Sequence, residues 1–195
     1  MRRTLVVMVK VPRPGRVKTR LARDIGPVAA AWWVRRQTAR LLRRLDDPRW
    51  DLMLAVAPDR EGLSFRRWPS HIPRVAQGPG DLGQRMARVF RRMPPGPVVI
   101  VGADIPALGP AHVARAFRAL GRAEAVVGPA PDGGYWAIGL RRGRAAPTGL
   151  FRGVRWSSAK ARADTLATLA PLSVAEVDVL TDVDTVADLQ ATAGR

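Results

Sequence analysis

The sequence contains no cysteine, which excludes a disulfide scaffold, a thiol nucleophile and any metal site built on thiolates. It has two histidines, His71 and His112, which disfavours a histidine-rich metal site and leaves few candidates for the histidine of a Ser-His-Asp triad. The apolar stretches Val28–Val34 and Pro97–Ala103 fall far short of the about 20 residues that span a bilayer. The apolar part of the N-terminal segment, Thr4–Val9, is also too short for a secretion signal. These absences favour a cytoplasmic protein without a membrane span.

Acidic residues are scarce: 16 Asp and Glu stand against 33 Lys and Arg, which leaves a formal net charge of +17 at pH 7. Three of the cations are lysines, at positions 10, 18 and 160, and arginine supplies the rest. A chain this basic favours anionic partners such as nucleotides, sugar phosphates or nucleic acid. Its arginines are scattered along helix faces without the interleaved aromatic residues of a single-strand-binding platform. A nucleic-acid-binding protein is therefore the less favoured reading.

Apolar periodicity alternates between strand and helix along the 195 residues, which suit one domain spanning 1–195. Short apolar runs predict strands at Thr4–Val9, Asp51–Ala57, Arg74–Ala76, Pro97–Gly102, Ala125–Val127 and Tyr135–Leu140. Helical spacing predicts helices at Pro27–Leu45, Leu82–Met93, Pro110–Leu120, Ser157–Leu169 and Thr185–Ala191. The first of these helices would present one apolar face made of Val28, Ala31, Trp32, Ala39, Leu42 and Leu45. The alternation predicts an α/β fold with a mainly parallel central sheet.

The loop after the first predicted strand carries a cluster of cations. Pro14 stiffens it, Gly15 allows a tight turn, and Arg16, Lys18 and Arg20 then follow within a short space. Because ligands of open α/β sheets bind beyond the carboxyl ends of the strands, this loop could cradle a diphosphate or triphosphate. It is not a Walker A loop, since the required glycines are missing. A solvated basic turn is the alternative.

A second glycine-rich loop runs from Gln77 to Gly83 and fits G-x-G-x-x-G. The fingerprint is weak here, because Pro79 interrupts it and it does not follow the first strand of the chain. We expect the loop to touch a nucleoside or sugar, with Gln77 and Asp81 as hydrogen-bonding groups. The alternative is a simple helix start, with Asp81 near the positive end of the helix.

Carboxylates follow two other segments. Asp104 comes directly after the apolar run Val98–Gly102, a position suited to holding Mg²⁺ against phosphates. Asp182 and Asp184 stand two residues apart, and either could be a second metal ligand, whereas Thr185 is expected to cap the last helix. Asp132 lies in a Pro-Asp-Gly-Gly turn that either binds substrate or only reverses the chain.

Six segments occur in a fixed order in the chain, and together they resemble one known family. They are K-x-P-x-P-G-x-V-K-T-R-L, Q-G-x-G-D-L-G-x-R-M, G-A-D-I-P-x-L, G-P-A-x-D-G-G-Y-W-x-I-G-L, V-x-W-S-S and D-V-D-T-x-x-D-L. The chain resembles bacterial GT-A-type glycosyltransferases of the arsenosugar-biosynthesis type, within the nucleotide-diphospho-sugar transferase superfamily. Molybdenum-cofactor and phospholactate nucleotidyltransferases are related to that family.

The resemblance implies a Rossmann-like GT-A fold, a three-layer α/β/α arrangement, and places the site residues. The nucleotide would contact Pro14, Gly15, Lys18, Arg20, Gln77, Gly80 and Asp81. The acceptor would contact Asp132, Gly133, Gly134, Trp156 and Ser157. Mg²⁺ or Mn²⁺ would be held by Asp104 and by Asp184 rather than Asp182. The catalytic residues would be Lys18, Asp104 and Asp132.

We therefore expect glycosyl transfer from a nucleotide-diphospho-sugar to a small-molecule acceptor. The metal and Lys18 would neutralise charge on the departing diphosphate, and Asp132 would orient or deprotonate the acceptor hydroxyl. Nucleotidyl transfer from an NTP to a phosphorylated acceptor, with release of pyrophosphate, is the alternative. Two departures keep both reactions open: the glycosyltransferase D-x-D is reduced to Asp104, and the nucleotidyltransferase glycine-rich loop is replaced by Pro-Gly-Arg-Val-Lys.

Overall fold

The computed structural model describes residues 2–142 and 146–193, and within these residues one seven-stranded sheet forms the centre of the molecule. The strands are β1 (Thr4–Lys10), β2 (Asp51–Ala57), β3 (Arg74–Ala76), β4 (Val98–Gly102), β5 (Ala125–Pro129), β6 (Tyr135–Leu140) and β7 (Val174–Glu176). Their order across the sheet is β3-β2-β1-β4-β6-β5-β7. β6 runs antiparallel to both of its neighbours, and the other pairings are parallel.

Helices cover both faces of this sheet. They are α1 (Leu21–Ile25), α2 (Pro27–Leu45), α3 (Asp59–Ser64), α4 (Leu82–Arg92), α5 (Pro110–Ala119), α6 (Ala161–Thr168) and α7 (Val186–Ala193). Leu5 and Val7 of β1 pack in one core cluster with residues of α2 and α5, whereas Val6 packs in another with residues of α4 and α6. Because side chains alternate across a strand, β1 contributes side chains to both cores. The predicted three-layer α/β arrangement is confirmed.

The predicted elements and the observed ones differ at three kinds of place. The short α1, α3 and β7 were not predicted, because five, six and three residues carry too little periodicity. The helix predicted to begin at Ser157 begins at Ala161. The predicted apolar face of α2 is wrong at Val28 and Trp32, which are 58% and 53% exposed, whereas Ala31, Leu42 and Leu45 are buried as predicted. The helix instead buries Ala30, and its buried face continues through the polar Gln37 and Thr38.

The strand directions bring several loops to one edge of the sheet. β1 and β4 are parallel, and β5 returns to their direction because β6 is antiparallel to both β4 and β5. β7 is parallel to β5. The segments that follow β1, β4, β5 and β7 therefore meet beyond the same edge, where open α/β sheets bind ligands. No helix among the described residues is both long enough and apolar enough to cross a bilayer.

Candidate active site

A cleft of about 880 Å³ opens at this edge of the sheet. Its walls combine charged and apolar groups. The charged part of the lining includes Arg16, Lys18 and Arg20 of the loop after β1, and the aromatic part includes Tyr135 and Trp156. The residues that line it come from distant parts of the chain, so the cleft is a product of the fold rather than of any one motif.

Lys18 and three aspartates meet in this cleft. Nζ of Lys18 lies 2.5 Å from Oδ2 of Asp104 and 2.6 Å from Oδ1 of Asp184, and Oδ2 of Asp182 is 3.7 Å away. Only 11% of the Lys18 side chain is exposed, whereas each aspartate side chain is about one-third exposed. An ion pair shielded to this degree is screened far less by salt than a pair on the open surface.

The loop after β1 directs Lys18 toward the carboxylates. Gly15 adopts a left-handed conformation, with φ of +74°, in a turn closed by the amide of Arg16 donating to the carbonyl of Arg13. Val17 is buried and anchors the loop, and Lys18 itself has a φ of +43°, which is unusual for a residue other than glycine. The carbonyl of Lys18 accepts from the amide of Ala22 at the start of α1. The backbone thus holds Lys18 in place from both sides.

The three aspartates are fixed by their backbones. Asp104 follows β4, and its carbonyl accepts a hydrogen bond from the amide of Val183. Val183 is fully buried against Leu21 and Ala30, so Asp182 and Asp184 on either side of it remain at the cleft. This one backbone contact joins segments that are about 80 residues apart and brings the three carboxylates together.

Thr185 caps α7, as the sequence predicted. Its backbone amide and hydroxyl both donate to Oδ2 of Asp188, at 2.8 Å, and its Oγ1 accepts from the amide of Asp188 at 3.3 Å. The amide of Asp184 donates to the same carboxylate oxygen. The side chain of Asp188 is therefore committed to the helix start, which leaves Asp182 and Asp184 as the acidic residues of this segment that reach the cleft.

The cluster is rich in negative charge. Burial raises the pKa of Asp182 to about 6, and repulsion from Asp104 and Asp184 adds to this effect against the attraction of Lys18. Burial alone would lower the pKa of Lys18, but its attraction to Asp104 and its hydrogen bonds to Asp104 and Asp184 raise that pKa above the ordinary value. Lys18 and Arg20 supply two positive charges against three carboxylates, so the cluster can accommodate a further cation.

The donor set fits a hard divalent metal. Asp104, Asp182 and Asp184 each bring an oxygen to within 4.8 Å of the others. Two oxygens on opposite sides of Mg²⁺, at about 2.1 Å each, are about 4.2 Å apart, so small side-chain movements would complete such a site. Carboxylate oxygens suit Mg²⁺ and Mn²⁺, whereas sulfur and imidazole ligands, which the cluster lacks, would favour other metals. Both Asp182 and Asp184 belong to this carboxylate cluster, whereas the sequence favoured Asp184 over Asp182 as the second ligand.

The cleft lining also contains most of the predicted acceptor-side residues, and Asp132 is near enough to the cluster to repel the carboxylate of Asp182. Asp132, Gly134, Trp156 and Ser157 line the cleft, and Oδ1 of Asp132 accepts from the amide of Gly134 at 2.9 Å. Gly133 has a packing role instead. Its φ is +83°, and a Cβ there would lie 2.2 Å from the carbonyl oxygen of Ala159.

Aromatic side chains pack together in the cleft lining. The rings of Tyr135 and Phe151 contact that of Trp156, with centroids 6.4 Å and 6.1 Å away. Burial raises the pKa of Tyr135 above its ordinary value, and its hydroxyl accepts from Oγ1 of Thr165. Gly83 permits this arrangement, because a Cβ there would lie 2.6 Å from Cβ of Phe151. The last glycine of G-x-G-x-x-G therefore serves side-chain packing.

The rest of that glycine-rich loop is a helix start. Asp81 caps α4: its side chain accepts from the amide of Gln84 at 2.8 Å, while its own amide donates to Oε1 of Gln84. Gln77 is buried, and its Nε2 donates to the carbonyls of Val9 and Ala55. Among the described residues that line the cleft, Gln77, Gly80 and Asp81 do not occur. Asp81 therefore has the helix-start role that the sequence offered as the alternative, whereas Gln77 ties the loop to β1 and β2. The predicted nucleotide contacts of Gln77, Gly80 and Asp81 stay predictions.

Other residues reach the cleft that the motifs did not identify. Thr19 lines it beside Lys18, whereas Pro14 and Gly15 shape the loop from outside the described lining. Trp33 and Thr38 of α2 line it as well. The signal was present in the sequence as two polar residues, Gln37 and Thr38, within the buried face of a helix, but apolar periodicity does not register polar groups.

Comparison with known structures extends this picture. A crystal structure from Desulfovibrio desulfuricans G20, described as a candidate nucleotide-diphospho-sugar transferase, is 33% identical, with a TM-score of 0.88. That match covers 98% of this chain and 86% of the other. No curated protein matches the chain in sequence.

Two more distant structures share the fold. The 4-diphosphocytidyl-2C-methyl-D-erythritol synthase of Anaerococcus prevotii DSM 20548 is 10% identical, with a TM-score of 0.62, over 99% of this chain and 95% of that one. The glucosyl-3-phosphoglycerate synthase of Mycobacterium tuberculosis, crystallised with Mn²⁺, uridine diphosphate and glucosyl-3-phosphoglycerate, is 11% identical, with a TM-score of 0.54, over 99% and 76%. The fold is therefore that of both nucleotidyltransferases and nucleotide-sugar transferases.

The family assignment follows from a direct match. Residues 40–158 match the model of DUF2064, described as "Uncharacterized protein conserved in bacteria". The matched segment covers more than half of the 195 residues and includes Asp104 and Asp132. The chain belongs to the DUF2064 family.

Proposed function

We propose that the protein is a divalent-metal-dependent transferase that moves a glycosyl group from a nucleotide-diphospho-sugar to a small acceptor. The observation that carries this proposal is a cluster of four charged side chains in the cleft, those of Lys18, Asp104, Asp182 and Asp184. A diphosphate is a ligand that needs both a metal and nearby cations. The 33% identical relative, described as a candidate nucleotide-diphospho-sugar transferase, supports the same class.

The charged part of the cleft lining would bind the diphosphate. Asp104, Asp182 and Asp184 would hold Mg²⁺ or Mn²⁺, which supplies positive charge to the phosphate oxygens as the leaving group departs. Arg16 and Arg20 lie in the cleft wall, and the Arg20 side chain is 60% exposed, so they can reach a phosphate directly. Placing fixed cations where negative charge develops lowers the barrier of the transfer step.

The part of the lining that includes Asp132, Tyr135 and Trp156 would bind the acceptor. Asp132 is exposed there, and its bond from the amide of Gly134 fixes the orientation of the carboxylate. A carboxylate so placed can accept the proton of an acceptor hydroxyl as the glycosyl bond forms. Tyr135 and Trp156 offer flat apolar surface against which a sugar ring or another small molecule packs. The resemblance to the arsenosugar-biosynthesis type stays a prediction.

Nucleotidyl transfer is a second candidate, and one observation favours it. Arg16, Lys18 and Arg20 form a row of cations in the loop after β1, and such a row suits a triphosphate as well as a diphosphate. In this reaction a phosphorylated acceptor would attack the α-phosphate of an NTP, and pyrophosphate would leave. The same metal and the same arginines would then stabilise the departing pyrophosphate.

A thermal-shift panel tests the proposal. Nucleoside diphosphates, triphosphates and nucleotide-sugars would each be added with and without Mn²⁺, since a ligand that binds the native state raises its melting temperature. We expect a nucleotide-sugar to give the largest shift, and only with the metal. A shift from triphosphates alone, followed by pyrophosphate release with a phosphorylated acceptor, would replace the first candidate with the second. No shift from any nucleotide would contradict both.

A further inference from the structure

Lys18 occupies the position that a metal would take. Its ammonium lies within 2.6 Å of carboxylate oxygens of both Asp104 and Asp184 and 3.7 Å from the nearest oxygen of Asp182. These are the three residues whose oxygens gather closely enough to bind a cation. A metal bound to them would lie at about 2.1 Å from its oxygens, in or beside the space that Nζ fills. Two cations cannot share that space, because each would repel the other at very short range.

We infer that Lys18 is a built-in counter-ion that competes with the metal for the three aspartates, an inference that rests on the metal requirement of the proposed function. In the metal-free protein, the ammonium balances part of the charge of Asp104, Asp182 and Asp184. Metal binding requires the Lys18 side chain to swing away. The backbone need not move, because the four-carbon stem of lysine can turn about its own bonds. Lys18 therefore lowers the affinity of the site for metal alone.

The surroundings of Lys18 supply a place for it to go. The same cleft is lined by Arg16 and Arg20, where a diphosphate would bind. A bound diphosphate attracts the ammonium and draws it off the carboxylates, which opens the site to the metal. Binding of metal and of diphosphate is then positively coupled, and by linkage each strengthens the other equally. Lys18 changes partners from carboxylate to phosphate, and the site gains its metal together with its substrate.

Arg20 provides a contrast within the same loop. Among the described residues, the carboxylate that its guanidinium contacts is that of Asp184, at 3.2 Å, and its side chain is 60% exposed against 11% for Lys18. A cation at the open rim is screened by water and salt, and it does not lie between the carboxylates. Removing Arg20 therefore deletes the same formal charge as removing Lys18, without vacating the centre of the site.

Titration with Mn²⁺ alone, followed by electron paramagnetic resonance of the free ion, tests the inference without any activity measurement. Lys18→Met is expected to bind Mn²⁺ about tenfold or more tightly than the wild type, because the competing charge is gone. Arg20→Met is expected to change the affinity by no more than about threefold. If Lys18→Met fails to fold, Lys18→Gln removes the charge but keeps a hydrogen-bond donor for Asp104 and Asp184, and the same increase is expected.

The outcomes separate this inference from the proposed function. Equal or weaker Mn²⁺ binding by the Lys18 variants, with measurable binding by the wild type, overturns the competition and leaves the metal requirement standing. An equal gain in the Arg20 variant also overturns it, because a general loss of positive charge would then account for the effect. If neither wild type nor Lys18 variants bind Mn²⁺, both the inference and the metal-dependent function fail.

Discussion

Two loops of this protein have similar compositions but make different contacts. The loop that follows β1 and the loop that precedes α4 each combine proline, glycines in left-handed conformation and charged residues. In the loop before α4, the polar side chains bond to their own surroundings: Gln77 to two strand carbonyls, and Asp81 to Gln84. In the loop after β1, Lys18 reaches across the fold to aspartates more than 80 residues away.

The two loops differ in the partners of their polar side chains. The polar side chains before α4 are bonded to backbone carbonyls and to a helix cap, so they are less free to bind a ligand, whereas Lys18 is bonded to carboxylates that line the cleft. The same motif type can therefore be structural or functional, and only the partners of its polar atoms decide which. For this protein the glycine fingerprint marks a helix start, and the Pro-Gly-Arg-Val-Lys loop marks the cleft.

Gln77→Met should show the largest loss of stability. The change keeps the size of the side chain but removes the donors to the buried carbonyls of Val9 and Ala55. We expect a loss of about 2–3 kcal/mol in the free energy of unfolding, measured by urea denaturation. Mn²⁺ affinity should stay at the wild-type value. A variant with normal stability and impaired nucleotide binding would return this loop to the active site and break the comparison.

Alanine at one glycine of each loop sharpens the contrast. At Gly80 (φ of +99°), a Cβ would lie 2.0 Å from Oε1 of Gln84, so Gly80→Ala must displace that side chain and lose its bond to Asp81. At Gly15 (φ of +74°), a Cβ meets nothing within 4 Å, so Gly15→Ala carries only backbone strain. We expect losses of about 2 kcal/mol and about 1 kcal/mol, respectively, by urea denaturation. Equal losses would mean that Gln84 moves freely and that its bond to Asp81 contributes little.

Asp81→Ala should have a small effect, similar to that of Gly15→Ala. It removes the acceptor for the amide of Gln84 at the start of α4 and should lower the free energy of unfolding by about 1 kcal/mol. Asp81→Asn is the matched control, because asparagine caps helices nearly as well and should retain most of the stability. A normal Mn²⁺-dependent nucleotide shift is expected in both variants. Loss of that shift in Asp81→Asn would indicate that the carboxylate binds a ligand.

The sequence predicted the fold well, because long apolar patterns report on which faces are buried. β2, β3, β6 and α2 were predicted with the bounds that the structure has. The inward face of α2 was not, since Gln37 and Thr38 interrupt its apolar pattern while lying in the interior. Periodicity identifies a helix but misplaces its buried face when polar residues are inside.

The site was predicted less completely for a related reason. Lys18, Asp104 and Asp184 were each selected from their loops, and the structure brings them together. That Lys18 bonds to the aspartates themselves could not be foreseen, since it depends on the contact between Val183 and Asp104. The hydrogen bonds of Gln77 to two strand carbonyls were not predicted, because they are set by the packing of β1 and β2 and cannot be inferred from the spacing of the motif. Its predicted contact with a nucleotide stays a prediction.

The central claim is that Asp104, Asp182 and Asp184 form one metal site, and calorimetric titration of Mn²⁺ into single Asp→Asn variants tests it most directly. Each of these three changes should weaken Mn²⁺ binding by more than about tenfold, a loss that even outer-shell partners of a metal can cause. Asp132→Asn, in the same cleft but outside the cluster, should change the affinity by less than about threefold. Wild-type affinity in Asp104→Asn, or a loss in Asp132→Asn as large as in the others, would contradict the account.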